Sequence, residues 1–211
     1  IQHHRPPQRA ETAMIEILLN DKAYEQDIRE LLMAFYPGET YSHEPSPQSD
    51  FSVEGMVDQA KRHVSLKVVS HKRQEIPELP ADMGEAVEEE LELLEEPIEV
   101  NYENSLETKS RIKRRLYALL VLQTGRLLPW GTLTGIRPTK IVMTKLEAGQ
   151  TCQEIAASMK DTYFTSDEKT SLAIRTAVHE RELLKTLNYE NGYSLYIGIP
   201  FCPTTCLYCS F

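Results

Sequence analysis

The stretch Tyr193-Ser-Leu-Tyr-Ile-Gly-Ile-Pro-Phe-Cys-Pro-Thr-Thr-Cys-Leu-Tyr-Cys-Ser-Phe211 carries the most specific pattern in the chain. Three of the four cysteines, Cys202, Cys206 and Cys209, form a C-x3-C-x2-C array here. The apolar run from Leu195 to Ile199 precedes them and predicts a short buried strand. The cysteines would then lie on a loop just past the end of a strand, where α/β folds place their reactive groups.

The spacing of these cysteines bears on what they bind. Thiolates are soft ligands that select zinc, copper(I) or iron–sulfur clusters. A structural zinc site closes its coordination sphere with four ligands, usually as two separated pairs. Three ligands on a four-iron cluster would instead leave one iron open to an outside molecule, which is useful for chemistry. A zinc-binding interaction module is the alternative from another functional class.

The wider motif resembles a known enzyme superfamily. The string Tyr196-Ile-Gly-Ile-Pro-Phe-Cys202, followed by Cys206, Tyr208 and Cys209, is similar to the radical S-adenosylmethionine (SAM) enzymes, and among them to the oxygen-independent coproporphyrinogen III oxidases. The resemblance implies that the three cysteines hold a [4Fe–4S] cluster whose fourth iron binds SAM. It also implies that Tyr196 and Tyr208 contact SAM, and it assigns no separate catalytic side chain.

The implied reaction belongs to anaerobic haem biosynthesis. Coproporphyrinogen III would be oxidatively decarboxylated to protoporphyrinogen IX, two propionates becoming vinyl groups, with a tetrapyrrole substrate and an electron donor protein as partners. The cofactors would supply the radical chemistry and the protein the binding and orientation. Gly198 replaces a histidine of the best-studied branch, and Phe211 replaces a further cysteine. Because the phenylalanine form also occurs in haem chaperones of the superfamily, a chaperone is the alternative within the resemblance.

Composition narrows the range of partners. The chain has 211 residues, of which 41% are hydrophobic, and a net charge of −9, which argues against non-specific nucleic-acid binding. Clustered cysteines do not resemble a secreted disulfide framework, so a cytoplasmic location is expected. The longest apolar runs are far too short to span a bilayer.

The predicted fold class is α/β, in four parts. Residues 1–12 are expected to be a disordered tail, 13–104 an α+β amino-terminal domain with an acidic insert, and 105–190 a helical connector. Residues 191–211 would supply the first strand and cluster loop of a truncated radical-SAM partial TIM barrel. The chain is therefore expected to be an amino-terminal fragment that is inactive alone.

Local patterns predict a β-α-β-β unit near the start of the chain. Residues 14–19 read as a strand, and apolar residues from Tyr24 to Phe35 recur at helical spacing until Pro37-Gly38 ends the helix. A loop rich in Ser and Pro follows over residues 41–50. Two strands are expected at residues 51–57 and 64–68, on either side of a turn.

A block of acidic residues and a basic cluster follow. Residues 75–107 contain thirteen Asp and Glu but no Lys or Arg, which is typical of a solvated helix or a disordered insert. A docking surface for a basic partner is another interpretation. The basic cluster, Lys109, Arg111, Lys113, Arg114 and Arg115, opens a helix with Leu116, Leu119, Leu120 and Leu122 directed inward. It either balances the acidic block or contacts substrate carboxylates.

The remaining connector contains helix-end signals. Gly125 is expected to end one helix, and Pro138 to begin another that runs to about Gly149. Arg137 and Lys140 near Trp130 suggest an anion site for propionate at this helix start, and residues 129–140 resemble an extension found in a longer Gram-positive-type subgroup of the family.

Two further helices are expected after this stretch. Thr151–Glu154 and Thr165–Glu168 have the form of capping boxes, which predicts helices at about 152–160 and 166–187. Leu172, Val178, Leu183 and Leu187 would supply the apolar positions of the second helix. Cys152, at the start of the first, is expected to be inert.

Overall fold

A computed structural model describes residues 14–72, 77–185, 187, 191–193 and 195–198 of the chain. The described strands are β1 (Met14–Leu19), β2 (Thr40–Ser42), β3 (Phe51–Asp58), β4 (His63–Ser70) and β5 (Ile98–Glu99). The described α-helices are α1 (Glu25–Phe35), α2 (Glu85–Glu92), α3 (Ser105–Thr124), α4 (Pro138–Glu147), α5 (Cys152–Tyr163) and α6 (Asp167–Leu184). The mixed α/β class predicted from the sequence is confirmed.

The strands form one mixed sheet in the order β2-β1-β3-β4-β5. β1 lies parallel to β2 and β3, whereas β4 runs antiparallel to both β3 and β5. The predicted β-α-β-β order of β1, α1, β3 and β4 is confirmed. β2 was not predicted, because its three residues border a polar loop and lack an apolar alternation.

The main core lies between one face of the sheet and two helices. Alternate strand residues such as Ile15, Ile17, Phe51 and Val53 are buried on this face, as the period of two in a strand requires. α1 and α3 cover them with buried residues that recur at helical spacing: Ile28, Leu31, Leu32, Phe35, Ile112, Leu116 and Leu120. α3 begins at Ser105 and is the first part of the predicted helical connector. This part of the connector therefore packs against the sheet in the main core.

The described part of the acidic block is ordered, so the interpretation as a disordered insert is wrong, whereas the interpretation as a solvated helix is confirmed for the outer face of α2. It supplies α2 and the edge strand β5. The outer face of α2 is exposed as expected, but Val87 and Glu90 are buried. Ile98 pairs with Val64 of β4 and is buried in the core.

Three helices form a second apolar cluster. α4, α5 and α6 contribute its buried residues, which are Val142, Leu146, Ile155, Met159, Ala173 and Ala177. Gly125 ends α3 in the left-handed conformation, Pro138 is the first residue of α4, and Thr151 and Glu154 form a complete capping box, as predicted.

Two expectations about α6 were wrong. Its N-cap is Ser166, whose side chain accepts the Lys169 amide, while the Thr165 hydroxyl is buried against Thr170. The buried residues are Thr170, Ala173 and Ala177; of the four predicted apolar positions, Val178 packs against the second apolar cluster, whereas Leu172, Leu183 and Leu187 are 40%, 56% and 60% exposed. The small side chains face the neighbouring helices, so the larger leucines lie outside the contact.

The predicted buried strand at Leu195–Ile199 was also wrong for the residues that the structure describes. Residues 195–198 belong to no strand, and Tyr196 is 91% exposed. A strand needs a hydrogen-bonding neighbour, and no described strand pairs with this segment. Within the described residues, no helix is long and apolar enough to cross a bilayer.

Phe35 provides a test of the main core. It is fully buried and contacts the ring of Tyr117 edge-on, with ring centroids 5.4 Å apart. We expect Phe35→Ala to lower the free energy of unfolding by about 3–5 kcal/mol, because a large cavity is left between α1 and α3. Met33→Ala, on the exposed side of the same helix, should cost about 0.5 kcal/mol. Urea unfolding of both variants measures the difference, and equal losses would contradict this packing.

Candidate functional site

The predicted cluster ligands lie outside the residues that the structure describes. Cys202, Cys206, Cys209 and Tyr208 are all in this part of the chain, so their assignment stays a prediction. Tyr196 is described and exposes its ring to solvent. Its position leaves the ring accessible to a ligand, and its contact with SAM also stays a prediction.

No alternative metal centre is found in the described part of the chain. Its His, Cys, Asp and Glu side chains form no group of three that could hold a metal ion. Cys152 is an exposed free thiol at the first residue of α5. The three clustered thiols are soft ligands of the kind that iron–sulfur clusters require, and a cluster bound to them stays a prediction.

The basic cluster on α3 is engaged within the protein. Lys109 lies 3.0 Å from Asp27 of α1, and Arg111 lies 2.6 Å from Glu107 one turn earlier. Both are surface pairs of the kind that contributes little to stability. These contacts support the interpretation in which the cluster balances neighbouring acids.

Glu90 pairs with two arginines of the cluster. Its carboxylate lies 2.9 Å from Arg115 Nε and 3.1 Å from Arg114 Nε, and the Glu90 and Arg115 side chains are both buried. Arg114 also stacks 4.4 Å from the centroid of the Phe164 ring and donates a hydrogen bond to the Asp161 carbonyl. The arrangement joins α2, α3 and the end of α5.

Glu90 was not predicted as a structural residue, because it is one of several consecutive glutamates. Charge and composition do not distinguish it from Glu88 or Glu89. The available signal was its spacing from Val87, since residues three apart share a helix face. This face is the one that α2 buries.

Lys113 fixes the segment before α4. Its amine donates a 2.7 Å hydrogen bond to the Thr134 hydroxyl, which in turn lies 3.2 Å from Glu30 Oε2 on α1. Burial lowers the pKa of Lys113, and the nearby charges of Asp27 and Glu30 oppose this shift. Gly135 adopts a φ of +65°, and a side chain there would meet the Glu30 carboxylate at 3.0 Å. α1 and α3 thus position the turn that leads into α4.

The predicted anion site lies at the end of this turn. Arg137 is the N-cap of α4 and is mostly exposed, with Glu180 of α6 3.9 Å away. Lys140 is exposed in the first turn, and Trp130 packs against the second apolar cluster. Propionate binding by Arg137 and Lys140 stays a prediction.

Comparison with known proteins gives one informative relative. The chain is 38% identical over 108 residues to the oxygen-independent coproporphyrinogen-III oxidase-like protein HemZ of Bacillus subtilis. The match includes 50% of this chain and 21% of the relative, so the chain spans about a fifth of that protein's length. No family model matches the chain, and no solved structure matches it.

The paired arginines give a test of this region. We expect Glu90→Gln to lower the free energy of unfolding by about 3 kcal/mol, because it removes the negative charge between two largely buried guanidinium groups. Glu89→Gln, exposed on the same helix, is the matched control and should change stability by about 0.5 kcal/mol at most. Chemical denaturation measures both. Equal stability of the two variants would show that Glu90 is not the structural partner of Arg114 and Arg115.

Proposed function

We propose that this chain is the amino-terminal part of a radical SAM protein that acts on coproporphyrinogen in haem biosynthesis. The observation that carries the proposal is the C-x3-C-x2-C motif within the Tyr196–Phe211 string. The 38% identity to HemZ supports the same family over half of the chain. Since the relative is much longer, the complete activity would require residues beyond those of this chain.

In this proposal, Cys202, Cys206 and Cys209 hold a [4Fe–4S] cluster as thiolates. When bound, the cluster and SAM would supply a radical able to take a hydrogen atom from the substrate. Each propionate would then lose carbon dioxide and pass one further electron to a one-electron acceptor as it becomes a vinyl group. Tyr196 and Tyr208 orient SAM, and an electron donor protein supplies the electron that starts each cycle.

A haem chaperone is the second candidate function. Gly198 and Phe211 depart from the residues of the best-studied oxidases, and the phenylalanine form occurs in chaperones of the superfamily. A chaperone would retain the cysteines and bind haem, the end product of the pathway, instead of coproporphyrinogen. Haem gives a Soret absorbance band, which separates the two functions experimentally.

Cysteine variants test the cluster assignment. After anaerobic reconstitution with iron and sulfide, the chain should hold about four irons and about four sulfides. Cys202→Ser, Cys206→Ser and Cys209→Ser should each lose most of this content, because each removes one of three protein ligands. Cys152→Ser is the matched control and should retain the cluster, since Cys152 lies on α5.

Three outcomes separate the candidate functions. Iron and sulfide contents that fall only in the three motif variants support the cluster. Tight zinc binding without iron or sulfide would instead identify a zinc-binding module. A Soret band on addition of haem, with a cluster present, would favour the chaperone over the oxidase.

A further inference from the structure

A cleft of about 690 Å³ lies between α2 and the junction of α5 and α6. The residues before α2, the turn after α3 and the first residues of α6 line it. Its apolar lining includes Met83, Val87, Tyr117, Leu127, Leu128 and Phe164. We call this feature the α2–α6 cleft. Its volume is within the range of typical ligand pockets.

The floor of the α2–α6 cleft is held in place by several contacts. Phe164 adopts a left-handed backbone conformation with a φ of +59°, which is uncommon for a residue with a side chain. Arg114 stacks on one side of its ring, and the ring of Tyr117 lies 5.4 Å away. Gly131 allows the close approach, because a Cβ there would lie 1.9 Å from the Tyr163 carbonyl oxygen. The apolar floor is therefore preformed.

The rim of the cleft is acidic. It consists of Asp82, Glu85, Asp161, Asp167 and Glu168, with Lys160 among them. Lys160 pairs with Asp167 at 2.8 Å, and the charges of Asp161 and Asp82 further raise the pKa of Lys160. Glu168 pairs with Lys169 at 3.2 Å. Within the described chain, Asp82, Glu85 and Asp161 form no ion pair.

Helix stability explains only some of these acids. Glu85, Asp167 and Glu168 lie in the first turns of α2 and α6, where negative charge interacts favourably with the helix dipole. Asp161 lies in the last turn of α5, where the dipole disfavours a carboxylate. Asp82 precedes α2. Asp161 thus adds negative charge beside the cleft against the dipole of its own helix, and Asp82 adds a second exposed carboxylate outside any helix.

We propose that the α2–α6 cleft binds a basic segment of a partner protein. An apolar side chain of the segment would pack beside Met83, Leu127 and Leu128, which are partly exposed in the cleft, and its Lys or Arg side chains would pair with Asp82 and Asp161. Charge complementarity identifies this occupant: the rim has five carboxylates and one amine, and the whole chain has a net charge of −9. Such a field favours association with basic partners.

A labelled peptide provides the test. The probe is a fluorescein-labelled peptide with a Phe-Leu pair flanked on both sides by lysines, and fluorescence anisotropy measures its affinity for the intact 211-residue chain. A peptide with glutamates in place of the lysines, and one with Ser-Ser in place of Phe-Leu, should both bind at least about tenfold more weakly. Binding should weaken as salt is added.

Charge variants locate the binding to the cleft. Asp82→Asn combined with Asp161→Asn should weaken binding about fivefold, whereas Lys160→Met should strengthen it by about twofold or more. Glu147→Gln combined with Glu182→Gln removes two carboxylates outside the cleft and should change affinity less than about twofold. Circular dichroism melting checks that each variant is folded.

Two results would overturn the proposal. One is an affinity for the lysine peptide that is the same in the two double variants, or an affinity of the unmodified chain that is the same for the lysine and glutamate peptides. The other is a dimer, seen by analytical ultracentrifugation, that competes with the peptide and is disrupted by the cleft variants. The second result would identify another copy of this chain as the occupant.

Discussion

The contact of Glu90 with Arg114 and Arg115 connects segments that lie far apart in the sequence and that share the main core. α3 packs on the sheet, α2 comes from the acidic block, and Phe164 follows α5. A largely buried carboxylate between two guanidinium groups is tolerated only when each charge has a partner. The pairing therefore fixes where α2 can lie. Through the stacking of Arg114 on Phe164, it also fixes the end of α5.

The same contact explains why acidic and basic segments follow each other in the sequence. The glutamates of α2 that face solvent contribute charge, while Glu90 contributes a specific structural contact. The α2–α6 cleft is a consequence of this arrangement, since Phe164 forms its floor and α2 forms one wall. Removing the pairing would therefore disturb both the core and the proposed binding surface.

The regular elements of the sheet were predictable from the sequence. Apolar residues alternate in β3 and β4 and recur at helical spacing in α1, so local patterns suffice to place them. β2 and β5 were not predictable, because two- or three-residue strands depend on their neighbours for pairing. The predicted buried face of α6 was wrong for a related reason. Close packing of α6 against its neighbouring helices buries Ala173 and Ala177 and leaves the larger leucines outside the contact.

The proposed cluster site, unlike the short strands and the buried face of α6, was predicted from local sequence alone. The proposed cluster at Cys202, Cys206 and Cys209 rests on ligand type and on the resemblance of the surrounding motif, neither of which requires knowledge of the fold. The identity to HemZ supports the family over half of this chain. Glu90 and the cleft depend on tertiary contacts between distant segments, which composition and spacing do not encode.

Electron paramagnetic resonance of the reconstituted and reduced protein, with and without SAM, is the most direct test of the central claim. If the three cysteines leave one iron open, a reduced [4Fe–4S] signal will appear and will shift when SAM is added. A cluster signal that SAM leaves unchanged, or zinc binding with no cluster signal, would contradict the assignment of this chain to a radical SAM protein.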